Sequence, residues 1–233
     1  MVLVQMSFYG FDNRYLLDVI QSEPETFAGI AVVQAEAPNL ESEVAALARR
    51  GVRGFRIVSG NHPETWLDGP AMDRLWRAAT AHEMAVCALA DPPALPALER
   101  MCRRFPETLV VIDHMGRIGM AGPIAATAVD QLCRLAEARR VFVKVSAFYA
   151  LGAKRQPYLD LAPLIRRLRD AFGAERLMWG SDSPFQVLGE HTYAASVELI
   201  GKLDFLSDAE REWLLGKTAE GIFFTTEAQV SRP

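Results

Sequence analysis

Two residues that can hold or transfer a proton follow apolar, strand-like segments of the chain. Asp182 lies in LMWGSDSPF, and His114 lies in TLVVIDHMGR. A carboxylate at the end of a strand can act as a general base or bind a metal, and a histidine can carry a proton or polarise a carbonyl group. The structural alternatives are a helix N-cap for Asp182 and a hydrogen-bonded core residue for His114. We predict that both are catalytic.

Three further charged residues lie in or near apolar segments. Arg117 follows His114 by three residues and could hold a carboxylate, although a solvated loop arginine fits the local sequence equally well. Arg56 interrupts GVRGFRIVSG and is either an anion-binding group or half of a structural ion pair, because a buried charge needs a partner. Lys144 lies in the middle of VFVKVSA, so for it we favour the structural ion pair.

Polar and aromatic residues near other strand ends complete the candidate site. Ser7 follows the first apolar segment and could offer a hydroxyl contact, and Tyr149 follows the Lys144 segment as a predicted pocket wall. His191 stands near a helix that is predicted to start at about residue 190, and we expect it at the surface.

These candidates are positioned by short apolar segments that alternate with helical patterns. Most of the segments are continuous apolar runs, which is typical of parallel strands covered on both faces. The predicted strands are Val2–Met6, Gly29–Gln34, Gly54–Ser59, Met84–Leu89, Leu109–Asp113, Val141–Ser146 and Leu177–Gly180. Strand–helix alternation predicts an α/β fold, either an open doubly wound sheet or a closed barrel, in one domain spanning residues 1–233. The open sheet is disfavoured because no G-x-G-x-x-G turn follows the first strand.

The alternation of side chains along the fifth predicted strand carries its own expectation. Ile112 and His114 are two residues apart, so they should share one face of the sheet. If His114 faces the interior of a barrel, Asp113 should point away from it.

The composition of the chain limits the kinds of molecule that it is expected to bind. The net charge is −4, with acidic and basic residues mixed along the chain, which argues against a nucleic-acid surface and leaves a small molecule as the expected partner. The three cysteines form no C-x-x-C pair, and no apolar stretch approaches the length of a membrane span. Because the start also lacks a signal-peptide pattern, we expect a cytoplasmic protein without membrane contact, and self-association stays open.

Several of these segments together resemble the amidohydrolase-related (amidohydrolase 2) family of TIM-barrel hydrolases. The nearest branch is that of the pyrone-dicarboxylate lactonases. The similar pieces are VLVQMSFYGFDN, GVRGFRIV, VVIDHMGR, VFVKVSAFY, RLMWGSDSPF and LLGKTAEGIFF, in the family's order. The resemblance implies a (β/α)8-type barrel. Family members begin with a strand carrying H-x-H, which this sequence does not contain, so we expect the first β/α unit to be lacking.

The resemblance also implies a role for each matching residue. Asp182 would activate the attacking water, His114 would steady the carbonyl oxygen, and Arg117 and Arg56 would hold a substrate carboxylate or polarise the lactone. Lys144 would be structural. We expect no metal cofactor, because Asp182 and His114 alone are too few ligands for a catalytic zinc; a zinc bound mainly by Asp182 would need the missing N-terminal histidines.

The predicted function is therefore hydrolysis of a lactone or a related C–O or C–N bond in a small, carboxylated cyclic substrate. Two alternatives remain open. One is a truncated relative, or a chain with a misassigned start, whose catalysis is impaired or lost. The other is a metal-dependent decarboxylase.

Overall fold

A computed structural model of the chain describes residues 1–224, in which the strands form one curled parallel sheet. Each strand pairs with the next along the chain, in the order β1 to β7. The strands are β1 (Val2–Val4), β2 (Ala28–Ala31), β3 (Val52–Val58), β4 (Ala85–Leu89), β5 (Val110–Ile112), β6 (Val141–Val145) and β7 (Leu177–Trp179). All seven predicted strands are confirmed among these residues, with bounds that differ by a few positions.

Helices follow the strands, and the amphipathic ones among α1 to α7 pack on the outer face of the sheet. They are α1 (Arg14–Ser22), α2 (Leu40–Arg49), α3 (Pro70–Ala81), α4 (Leu95–Arg104), α5 (Ala126–Arg134), α6 (Ala162–Phe172), α7 (Tyr193–Lys202), α8 (Asp208–Glu212) and α9 (Thr218–Phe223). Helix α3 shows why they form: Pro70 occupies its first turn, and Leu75, Trp76 and Ala79 fall on one buried face. The predicted fold class is confirmed as a TIM-barrel-type α/β fold, with seven parallel strands in the described residues.

The strands bury side chains on both faces, as their apolar runs predict. The outer face, which includes Phe55, Ile112 and Val143, packs against the helices. The inner face forms a smaller cluster, which Phe223 of α9 joins. Its buried members are Ala28, Ile30, Ala85, Cys87, Val111, Met178 and Phe223. The alternation between these two clusters decides which later residues point into the barrel.

Because the strands are parallel, their carboxyl ends lie along one rim of the sheet. The segments after β5, β6 and β7 carry His114, Tyr149 and Asp182, so the candidate residues meet at this rim. No helix within residues 1–224 combines the length and the apolar character that crossing a bilayer would require.

Candidate functional site

Four polar side chains meet at the carboxyl ends of β5, β6 and β7. Nδ1 of His114 lies 2.8 Å from the Ser146 hydroxyl oxygen. The Tyr149 hydroxyl donates to Oδ2 of Asp182 at 2.8 Å. Nε2 of His114 lies 3.7 Å from Oδ1 of Asp182. The two residues predicted to be catalytic are therefore neighbours, and each forms a hydrogen bond with a hydroxyl group, His114 with Ser146 and Asp182 with Tyr149.

The backbone at this rim adopts conformations that are rare for residues other than glycine. His114, Met115, Arg117, Ala147 and Asp182 all have φ between 50° and 59°. Such residues persist where the surrounding structure holds them, and they concentrate at functional sites. The left-handed turns after three neighbouring strands aim these side chains across the mouth of the barrel.

The alternative that Asp182 caps the following helix is not what the chain adopts. Helix α7 starts at Tyr193, and the side chain of Thr192 accepts the capping hydrogen bond from the Ala195 amide. The Asp182 side chain remains 20% exposed at the rim, where it can contact a bound molecule.

The expectation that Asp113 points away from the barrel was wrong. Ile112 belongs to the outer core cluster and Val111 to the inner one, so Asp113 continues the inward alternation of Val111. The alternation ends at His114, where the chain turns into a left-handed conformation. Both side chains therefore reach the inner side, Asp113 below the rim and His114 at it.

Asp113 holds the two charges that interrupt the apolar strands. Its carboxylate is fully buried and lies 2.9 Å from Arg56 and 2.6 Å from Lys144. Burial alone would raise the pKa of Asp113, but Lys144 and Arg56 outweigh it and hold that pKa below the ordinary range. Lys144 thus lies in a buried ion pair of the kind predicted. Arg56 shares the pair, and its contact with a substrate stays a prediction.

The surroundings of His114 favour the neutral imidazole. The residue is 8% exposed, and burial lowers its pKa against the opposing pull of Asp113 and Asp182. A neutral ring has one nitrogen that donates and one that accepts. If the Ser146 hydroxyl donates to Nδ1, the proton of the ring is on Nε2, which faces the open side of the site.

The other predicted substrate contacts stand around this cluster. Arg117 lies 3.3 Å from the carboxylate of Asp91, which follows β4 at the same rim. Ser7 lies in the exposed turn Ser7–Tyr9 after β1. Neither residue contacts Asp182 or His114 directly, so their roles in binding stay predictions.

The segment after β7 contributes residues that local sequence reasoning missed. His191 was expected at the surface, but its Nδ1 lies 2.9 Å from the hydroxyl of Tyr158, and its ring packs against those of Tyr158 and Tyr149. Gln186 is fully buried and donates to the Tyr158 oxygen at 3.1 Å. Tyr158 is 33 positions from His191 and 28 from Gln186, and no local pattern pairs them.

The donor set at the rim does not fit a metal site. Asp182 and His114 are two candidate ligands, whereas a catalytic zinc has three protein ligands and an open position. Among residues 1–224, no group of three or more His, Cys, Asp or Glu side chains is arranged to hold an ion.

Known proteins similar to this chain share its fold and much of its length. The amidohydrolase family model matches residues 1–225. The L-fucono-1,5-lactonase of Burkholderia ambifaria is 32% identical over 194 residues, which cover 82% of this chain and 66% of that protein. The chain therefore spans slightly less than two thirds of the length of this curated relative.

Two solved structures extend the comparison. A probable 2-pyrone-4,6-dicarboxylic acid hydrolase from Acinetobacter baumannii, with citric acid bound, is 28% identical with a TM-score of 0.84 over 95% of this chain and 82% of that one. An amidohydrolase from Burkholderia multivorans with bound zinc is 25% identical, with the same TM-score of 0.84 and the same coverage of 95% and 82%.

Proposed function

The chain belongs to the amidohydrolase family, and on that premise we propose that it hydrolyses the ester bond of a lactone ring. Two similar proteins carry the names of lactone hydrolases that act on different rings, a sugar lactone and a pyrone. The observation that carries the proposal is the pairing of a partly exposed carboxylate with a neutral imidazole at the barrel rim, 3.7 Å apart.

In the proposed reaction Asp182 is the general base. The Tyr149 hydroxyl occupies Oδ2, which leaves Oδ1 free to accept a proton from a water molecule at the rim. The water oxygen adds to the carbonyl carbon of the lactone and the ring C–O bond breaks. The proton held by Asp182 passes to the departing alkoxide oxygen, so the product is a hydroxy acid.

His114 stabilises the negative charge that develops on the carbonyl oxygen. A neutral ring with its proton on Nε2 can donate one hydrogen bond to that oxygen. The Ser146 hydroxyl, 2.8 Å from Nδ1, is in place to donate to that nitrogen when the proton of the ring is on Nε2. Burial favours the neutral ring, because it lowers the pKa of His114.

We propose an anionic substrate. Among residues 1–224, the ion-pair partner of Arg117 is Asp91, whose side chain is 46% exposed, so a substrate carboxylate could take its place on the guanidinium. Ser7 and Tyr149 would line the same opening. A relative binds citric acid, a small polycarboxylate, which is consistent with this class of ligand. Arg56 would act at a distance, because its guanidinium is committed to Asp113.

We also propose that the reaction needs no metal cofactor, because two donors at the rim are too few for a catalytic zinc. A cytoplasmic location is proposed on the three cysteines, Cys87, Cys102 and Cys133, all of which are free.

Asp182→Asn tests the proposed base. The protein is first dialysed against a chelator. Its hydrolysis of L-fucono-1,5-lactone and of 2-pyrone-4,6-dicarboxylate is then measured by the protons released as each ring opens. We expect the wild-type chain to turn over one of them and the variant to fall to the spontaneous rate with an unchanged circular dichroism spectrum.

The matched control is Asp204→Asn, since that carboxylate is 90% exposed and pairs with Arg166 at the surface. Activity retained by Asp182→Asn would refute the assignment of the base. Activity lost on chelation would refute metal independence. A wild-type chain that opens no lactone would favour the non-catalytic alternative, and release of CO₂ only with added metal would favour the decarboxylase.

A further inference from the structure

Tyr149, whose hydroxyl binds the Asp182 carboxylate, packs its ring against the segment after β7. The Phe185 ring stacks on it with centroids 6.5 Å apart, and the His191 ring lies 6.0 Å away at a tilt. Both residues belong to the stretch 185–192 that follows Asp182 in the chain. The segment that follows Asp182 in the chain therefore also contacts Tyr149, the residue whose hydroxyl binds the Asp182 carboxylate.

The stretch is anchored by a buried hydrogen-bonded group below the Tyr149 ring. Gln186 donates through Nε2 to the Tyr158 oxygen at 3.1 Å and to the Thr192 carbonyl at 3.4 Å. Its main-chain N–H donates to the Asp182 carbonyl at 3.2 Å. Because Gln186 is fully buried, each of these bonds is shielded from competing water.

Tyr158 joins the two halves of this group. Its side chain is 1% exposed, and its hydroxyl accepts from Gln186 and shares a hydrogen bond with Nδ1 of His191 at 2.9 Å. The rings of Tyr158 and His191 are stacked with centroids 6.0 Å apart. The orientation of His191 is therefore set by Tyr158, and the position of Tyr149 depends in turn on His191.

We propose that Tyr158, Gln186 and His191 are positioning residues that fix the Tyr149 hydroxyl on Asp182, and so direct Oδ1 of Asp182 toward the attacking water. This inference rests on the proposed function for its kinetic consequence. The coupling between Tyr158 and Tyr149 itself does not need a substrate. Tyr158 touches neither Asp182 nor His114 in the contacts described above. Gln186 meets Asp182 at its main-chain carbonyl, whereas the Tyr149 hydroxyl meets its carboxylate, so the proposed effect of Tyr158 on the carboxylate passes through Tyr149.

Tyr158→Phe is the decisive variant, because it keeps the ring and removes the hydroxyl that Gln186 and His191 share. We expect kcat to fall roughly 3- to 10-fold, the scale of one lost hydrogen bond, with KM unchanged. The double variant Tyr149→Phe/Tyr158→Phe should be no slower than Tyr149→Phe, since Tyr158 would have nothing left to position. Multiplied losses in the double variant, or an unchanged kcat in Tyr158→Phe, would overturn the proposal.

A spectroscopic measurement separates this inference from the proposed function. The chain has five tyrosines, so labelling with 3-fluorotyrosine gives a small set of ¹⁹F resonances, and Tyr149→Phe identifies that of Tyr149. We expect Tyr158→Phe to shift or broaden the Tyr149 resonance, and Tyr15→Phe, at a side chain on α1 that is 65% exposed, to leave it unchanged. A Tyr149 resonance that ignores Tyr158→Phe refutes the coupling whether or not the chain hydrolyses a lactone.

Discussion

Replacing Asp113 by Asn should destabilise the protein strongly, because it removes the one carboxylate between two buried cations. Arg56 and Lys144 have side chains only 10% and 13% exposed, and both lie within 2.9 Å of that carboxylate. Nε of Arg56 is already buried without a hydrogen-bond partner among the described residues. Asn preserves the shape of the side chain, so the change removes charge with little change in packing.

The magnitude follows from the cost of an uncompensated buried charge. Removing one partner of a buried ion pair costs about 3–5 kcal/mol. For a chain of this size each kcal/mol moves the melting temperature by about 2–4 °C, so Asp113→Asn should melt about 6–20 °C below the wild type. The assay is equilibrium urea unfolding followed by tryptophan fluorescence, with thermal melting as a second probe.

Asp130→Asn is the matched control. Asp130 and Arg167 form a pair at 2.6 Å, but both side chains are 52% exposed. Exposed pairs contribute about 0–1 kcal/mol, so this variant should unfold almost like the wild type. A second variant, Asp113→Asn/Lys144→Met, removes one of the stranded cations and should recover part of the loss. Equal stability of Asp113→Asn and wild type would refute the stabilising role of the buried triad Arg56, Asp113 and Lys144.

The pH dependence of this difference has a definite sign. The pKa of Asp113 is held below its unfolded value of about 4. A depressed carboxyl pKa contributes stability that is fully present above the unfolded pKa and is lost as the pH falls through the folded one. The gap in free energy of unfolding between wild type and Asp113→Asn should therefore be constant from pH 6 upward and shrink below about pH 4.

Three further predictions concern His114 and two glycines, one in β3 and one in α7. Burial lowers the pKa of His114, so its contribution to stability is present above about 6.5 and declines as the pH falls below it; His114→Gln should unfold with a flatter pH dependence between about pH 5 and 7, measured by urea titration. A Cβ at Gly54 would lie 2.5 Å from the Ala85 carbonyl oxygen, so Gly54→Ala should cost about 1–3 kcal/mol by the same assay. Gly201 in α7 has open space around it, and Gly201→Ala should stabilise by up to about 1 kcal/mol; the reverse order of the two effects would contradict the packing described.

The sequence predicted the strands and the positions of Asp182 and His114 at the rim well because both depend on local patterns. Continuous apolar runs mark parallel strands, and a polar residue directly after such a run must lie at the rim. His114 and Asp182 could be placed by that argument. Their mutual distance could not, since it depends on left-handed turns after β5 and β7, which the residue types there permit but do not specify.

The error at Asp113 has the same origin. A two-residue alternation holds only while the backbone stays extended, and it ends at His114. The partner of Arg56 is 57 positions away, so the ion pair could be expected from the cost of a buried charge but not assigned to a carboxylate. The contacts of His191 with Tyr158 are likewise long-range, and a histidine in a polar loop gives no sign of them.

The buried triad also bears on the chemistry at the rim. Arg56 and Lys144 together carry one more charge than Asp113 neutralises, so a residual positive charge lies below His114. Both cations oppose protonation of His114, which adds to the effect of burial in keeping the imidazole neutral. The same residual charge would favour an anionic substrate above it. Arg56 and Lys144 thus help to keep His114 neutral against the pull of Asp113, so a neutral substitute for Asp113 should weaken stability while leaving the proposed preference for anionic lactones intact.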